Sequence, residues 1–337
     1  MLYLTTRSSA DAFTPFRTLQ QGRGPEGGFF IPMNLPRMEP ERIEQMLSHS
    51  FSQNIADILN LFFNARMDSW DVDFCIGRYS SKVVPMSHRI MVAETWHNPD
   101  YDFSRIVRNL SSRIQGSGDT TGIPTDWAWI TVRIATLFGL FSEIYRSSAV
   151  IPGQRIDIAI PSGDFAGPMA AWYAREMGLP IGCIVCACDE NDAVWDLLHY
   201  GEILISKETQ IPPDLERLIC GSLGREEVCR FVACVNERRP YQVPEGQLDA
   251  FSDGLYAAVI SWKRREQIIS SVYKTSTYIL DPGSAMAYGG LQDYRAGSGE
   301  SRTAVIVTER SPILSAGTVA QAMDISVDEL NERMKRA

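Results

Sequence analysis

The chain has 337 residues, 45% of them hydrophobic, and a formal net charge of −9. That apolar fraction can build a substantial core, and the acidic balance argues against a nucleic-acid backbone as partner. No run approaches the ~18 apolar residues needed to span a bilayer, so no membrane partner is expected. Met1-Leu2-Tyr3-Leu4 is cut short by Thr5-Thr6-Arg7-Ser8, which does not read as a signal peptide. With seven cysteines in such a chain, a reducing cytoplasm is the expected location.

Taken in chain order, the clearest elements lie in the second half. Residues 129–145 carry Ile130, Ile134, Leu137, Phe138, Phe141 and Ile144 at three-and-four spacing, which predicts an amphipathic helix. Residues 155–160 read as a strand that ends at a glycine turn, followed by a helix over 167–177 and a second strand over 183–188. That is a βαβ unit, and in open parallel sheets ligands bind at the carboxyl ends of such strands. Cys183, Cys186 and Cys188 lie within the second strand. Cys183 and Cys186 fall on opposite faces, because side chains alternate along a strand. The run therefore predicts a buried strand using cysteine as a small hydrophobe, with no metal site. Lys263-Arg264-Arg265 is too short for a basic patch and reads as a solvated helix face. Residues 303–308 predict another buried strand. Ser326 and Glu329 have capping-box spacing at the start of a charged terminal helix over 326–334.

Several motifs go beyond secondary structure. Tyr3-Leu4-Thr5-Thr6-Arg7 and Gly22-Arg23-Gly24-Pro25-Glu26-Gly27-Gly28-Phe29-Phe30-Ile31-Pro32 stand near the start. Glu94-Thr95-Trp96-His97-Asn98-Pro99-Asp100-Tyr101-Asp102-Phe103-Ser104-Arg105 follows. Then come Ile160-Pro161-Ser162-Gly163-Asp164-Phe165-Ala166-Gly167, Ala174-Arg175-Glu176-Met177-Gly178-Leu179-Pro180-Ile181-Gly182 and Asp189-Glu190-Asn191-Asp192. Asp214-Leu215-Glu216-Arg217-Leu218 and Leu280-Asp281-Pro282-Gly283-Ser284-Ala285 complete the set. In content and order these resemble threonine synthase, a pyridoxal phosphate (PLP) enzyme. The resemblance implies an α/β fold of fold type II, similar to tryptophan synthase β, with a parallel-rich sheet flanked by helices.

Three departures from that pattern bear on function. Ser104 stands where the resemblance places the lysine that binds PLP, and a serine has no amine with which to form a Schiff base. The loop that would wrap the cofactor phosphate carries Asp164, whose carboxylate repels a dianion, and Gly167 replaces a second asparagine. The small domain expected between the lysine helix and the next long helix has no room here. The expected organisation is a threonine-synthase-like N-terminal region (1–95), a remnant of the lysine helix with a linker (96–125) and a large α/β domain (126–337). Ser117, Asp119 and Thr120, within residues 116–122, read either as a retained anion nest or as a Gly/Ser/Thr linker across the deletion.

These departures set the functional expectation. No cofactor is expected, PLP binding having been lost. The candidate ligand-binding residues are Ser162, Gly163, Asp164, Phe165, Ala166 and Gly167, with Ser117, Asp119 and Thr120. His97, Asp102 and Ser104 are candidate catalytic residues, since a histidine, a carboxylate and a hydroxyl can carry acid/base chemistry. One reading is a pseudoenzyme that binds a small-molecule ligand or a protein partner. The other is a reassigned, PLP-independent enzyme in specialised amino-acid metabolism. Loss of the small domain would expose an apolar face, so homodimerisation is also expected.

Overall fold

The computed structural model describes residues 1–76, 82–95, 103–115, 126–147, 150–151, 153–308 and 310–335. The anticipated βαβ unit is present as β5 (Ile156–Pro161), α7 (Ala166–Glu176) and β6 (Ile181–Cys188). Before it come β1 (Tyr3–Thr5), α1 (Pro15–Gln21), β2 (Phe30–Pro32), α2 (Pro40–Ser48), α3 (Phe51–Phe63) and α4 (Ser69–Ile76). These are followed by β3 (Lys82–Ser87), β4 (Ile90–Glu94), α5 (Phe103–Gln115) and α6 (Asp126–Arg146). After the unit come α8 (Ala193–Tyr200), β7 (Glu202–Ile203), α9 (Leu215–Leu223), α10 (Arg225–Glu237), β8 (Tyr241–Gln242) and α11 (Leu248–Phe251). The chain then runs through β9 (Leu255–Val259), α12 (Trp262–Ser276), α13 (Pro282–Ser298) and β10 (Ala304–Thr308). A 3₁₀ turn (Pro312–Ser315), α14 (Ala316–Met323) and α15 (Val327–Met334) follow. Ser326 caps α15 by accepting from the Glu329 amide at 3.1 Å, as its spacing predicts.

Six strands form one sheet in the order β3-β4-β10-β5-β6-β9, parallel except for β3, which runs antiparallel to β4. β3 holds Pro85, which an edge strand tolerates because one side of its ladder is open. Both faces of the inner strands are covered, which is why β6 reads as an almost unbroken apolar run. Cys183, Val185 and Ala187 face the layer that includes residues of α12 and α13, while Ile184, Cys186 and Cys188 face the layer that includes α6 and α7. Burial pushes the Cys183 thiol up to about 12 and also raises those of Cys186 and Cys188. No group of metal-ligating side chains occurs among the described residues.

α6 is the central helix of one layer. By length and composition it could cross a membrane, although polar residues interrupt its apolar run. Its most apolar stretch is 83% buried within the protein. Gly139 is needed where α6 meets α3, since a Cβ there would lie 2.6 Å from the Phe51 ring.

The N-terminal strands β1 and β2 are tied to α9 by buried charge. The Arg217 side chain is fully buried. It donates to the Phe30 carbonyl at 3.2 Å, to Asp126 at 2.6 Å and to Asp214, and its guanidinium lies 4.7 Å from the Phe29 ring centre. Burial alone would lower the Arg217 pKa, but Asp214 and Asp126 outweigh it and raise it. Next to it, Arg7 pairs with Glu216 at 2.8 Å.

Candidate functional site

The carboxyl edge of the sheet is where the predicted loop lies. Past β5 the chain turns through Gly163 (φ +48°) and Phe165 (φ +67°) into α7. Gly167 lets this turn sit on the strand, because a Cβ would come within 2.9 Å of Ile160 Cγ2. The Asp164 carboxylate accepts the Ala166 amide at 3.0 Å, at the very start of the helix. Two neighbouring helices begin in the same way. Asp192 accepts the Val194 amide at 2.9 Å at α8, and Asp281 accepts those of Gly283 and Ser284 at 2.9 and 3.2 Å at α13. At three helix starts along this edge a carboxylate of the chain already occupies one or two of the amides that attract anions.

Between these helix starts and α6 lies a cleft of about 540 Å³. Its floor is apolar, with Leu137 and Leu140 of α6, Ile160 of β5, Ala170 of α7 and Val307 of β10. Its charged lining residues are Arg133, Arg265 and Arg310 against Asp164 and Asp281, and no lysine lines it among the described residues. Ser162, buried, donates its hydroxyl to Asp192. Burial raises the Asp192 pKa, against the opposing pull of the Ser162 hydroxyl and the Val194 amide. Just beyond β4, Thr95 Oγ1 donates to the Thr308 carbonyl at 2.9 Å. Glu94 accepts the hydroxyl of Tyr278, whose pKa is raised by burial and by that carboxylate.

Of the expected ligand residues, Ser162, Gly163, Asp164 and Gly167 line the cleft. Phe165 is buried and is absent from its lining, and Ala166 lines a smaller recess beside it. Ser104 is the second residue of α5, and its side chain lies outside the described residues, as do His97, Asp102, Ser117, Asp119 and Thr120. Arg265 corrects the reading of residues 263–265 as a solvated face. It is 4% exposed and donates to the Ile260 carbonyl at 2.9 and 2.8 Å and to Asp189. Arg133, Trp262 and Arg310 also line the cleft, and no motif in the sequence marked them.

Comparison with known proteins places this geometry. The family model described as the threonine synthase N terminus matches residues 2–79. Human threonine synthase-like 1 is 22% identical over 214 residues, which is 56% of this chain but only 28% of that protein. The chain thus spans under a third of the length of this relative. Threonine synthase-like 2 of Xenopus laevis is 19% identical over 396 residues, covering 85% of this chain and 83% of the relative. Among solved structures, PLP-bound threonine synthase from Brucella melitensis superposes with a TM-score of 0.82 at 18% identity, covering 96% of this chain and 92% of that one. Yeast threonine synthase gives 0.80 at 17% identity, covering 96% and 90%. The chain has the fold of these threonine synthases, its N-terminal residues match their family model, and it is similar to threonine synthase-like proteins.

Proposed function

We propose that this threonine synthase-like protein works without PLP, has left the replacement or lyase chemistry of its relatives, and binds a small ligand in the cleft at the carboxyl edge of the sheet. The observation that carries this reading is the Asp164 carboxylate on the Ala166 amide. A phosphate placed at this helix start would meet a carboxylate and find that amide taken. PLP does not fit the donor set in another respect, because no lysine is among the described residues lining the cleft. Only ten residues separate α5 from α6, which supports the absence of the small domain that would close over a substrate. The Xenopus alignment, at 396 residues, is longer than this chain and so contains stretches the chain lacks.

The cleft is open and pre-formed, as a binding site should be. The hydroxyls of Thr95, Thr136, Ser162, Ser284 and Thr308, however, are engaged within the protein rather than directed at a reacting group, which favours binding over acid/base catalysis. The test is to incubate the purified chain with PLP, record the visible spectrum and treat with borohydride. No cofactor band and no lysine adduct by mass spectrometry is the expected result. An adduct on any lysine would overturn the cofactor-free reading.

A further inference from the structure

Most polar side chains of the cleft are already paired with the protein itself. Thr95 and Thr136 donate to the carbonyls of Thr308 and Val132, each at 2.9 Å. Ser162 donates to Asp192 and Ser284 to Asp281. Thr308 also approaches Asp281, at 3.3 Å, and Arg265 is held by the Ile260 carbonyl and Asp189. Groups bound in this way offer a ligand little new hydrogen bonding, since each bond to it would replace an existing one. Arg310 differs. It is exposed, lines the cleft, and its guanidinium makes no hydrogen bond or ion pair among the described residues. Arg133 and Arg310 share the lining with Asp164 and Asp281, the third guanidinium, Arg265, being paired with Asp189. Below lie the apolar side chains of Leu137, Leu140 and Val307, and the half-exposed Trp262 also lines the cleft.

We propose that the cleft binds a monocarboxylic acid with an apolar body, its carboxylate on Arg310 and its body against Leu137, Leu140 and Val307. The inference rests on the reading of the cleft as a cofactor-free ligand site and names the chemistry of its ligand. A guanidinium matches a carboxylate in two parallel hydrogen bonds, and the apolar wall supplies binding energy through buried area. A volume of about 540 Å³ accommodates an acid of about six to eleven heavy atoms with room to spare. An alkyl phosphate is disfavoured at the α7 start by Asp164.

The experiment is calorimetric titration of the full chain, without added PLP, with hexanoate and 3-phenylpropanoate. Hexan-1-ol, hexylamine, hexyl phosphate and 2-aminohexanoic acid serve as matched comparisons. The two acids should bind more tightly than every comparison compound. Arg310→Gln should weaken them about tenfold or more, with Arg310→Lys keeping part of the affinity. Leu140→Trp should fill the cleft and remove binding in a protein that still melts cooperatively, and Ala170→Val is the second filling variant should the first not fold. Equal affinity for the alcohol, preference for the amine, the amino acid or the phosphate, or an unchanged Arg310→Gln variant would overturn the proposal. So would failure of both acids to bind a cooperatively folded protein. A borohydride-fixed lysine adduct bears on the cofactor-free reading alone, because these titrations contain no PLP.

Discussion

Two arginines mark opposite uses of charge in this molecule. Arg217 is fully buried, surrounded by Asp214, Asp126 and the Phe30 carbonyl, and stacked on aromatic rings. Arg310 stands in the open at the end of β10 with its guanidinium unengaged among the described residues. A buried ion can persist only where its partners compensate for lost hydration, so the surroundings of Arg217 are complete and leave nothing for a ligand. An exposed ion keeps its water and adds little to stability, yet it can exchange that water for a ligand carboxylate. Sequence proximity to a motif does not separate the two cases. Arg217 lies inside one of the motifs shared with threonine synthase, and Arg310 lies in none.

The comparison is sharpest where each arginine is removed. Arg217→Met should cost about 3–5 kcal/mol in urea unfolding, because Asp214 and Asp126 would be left without their partner. Acid binding by the fraction that still folds should be unchanged, whereas Arg310→Gln should weaken binding about tenfold or more and keep the wild-type urea midpoint. If Arg217→Met proved neutral, the buried cluster would not be what holds the N-terminal strands. Asp281→Ala is the intermediate case. It removes the α13 cap and the acceptor for Ser284 and Thr308, for an expected loss of about 1–2 kcal/mol by the same measurement.

The smallest effect concerns pH. Burial raises the Asp192 carboxyl in the folded protein, so the folded state holds this proton more tightly than the unfolded chain does. Its contribution is therefore full below the unfolded value, near pH 4, and is lost as pH rises through the folded value. Asp192→Asn removes that loss. Relative to wild type, the stability of the variant should improve as pH rises from about 4 and level off above the folded value. A difference that did not change with pH would show that Asp192 titrates normally.

Much of the sheet could be read before the fold was known. β5, β6 and β10 are short β-branched or small apolar runs, and burial on both faces removes the alternation that would blur their limits. The hairpin of β3 and β4 was not read as strands. Pro85 and the irregular register between Pro85 and Ser87 disguise the first strand, and the motif that starts at Glu94 touches only the last residue of the second. Three consecutive basic residues suggest a solvated surface, yet Arg265 is buried. On a helix, Lys263 and Arg265 are separated by about 200°, so one faces water and the other turns inward. Asp164 was found through its place in a motif, but its bond to the Ala166 amide depends on the left-handed turn at Phe165. Arg310 could not be singled out, because its position matters only once β10 has brought it beside α6 and the α7 loop.

The place of β10 between β4 and β5 has a consequence for synthesis. β4 ends at Glu94 and β5 at Pro161, yet the strand that joins them ends at Thr308. At ribosomal speeds of about 5–20 residues per second, β4 waits roughly ten to forty seconds for its neighbour. During that time one edge of β4 and one edge of β5 carry unpaired backbone groups flanked by apolar side chains. The nascent chain therefore passes through a stage that invites mispairing with other chains, and slow, late closure of the sheet is the step at which a chaperone would make the greatest difference to yield.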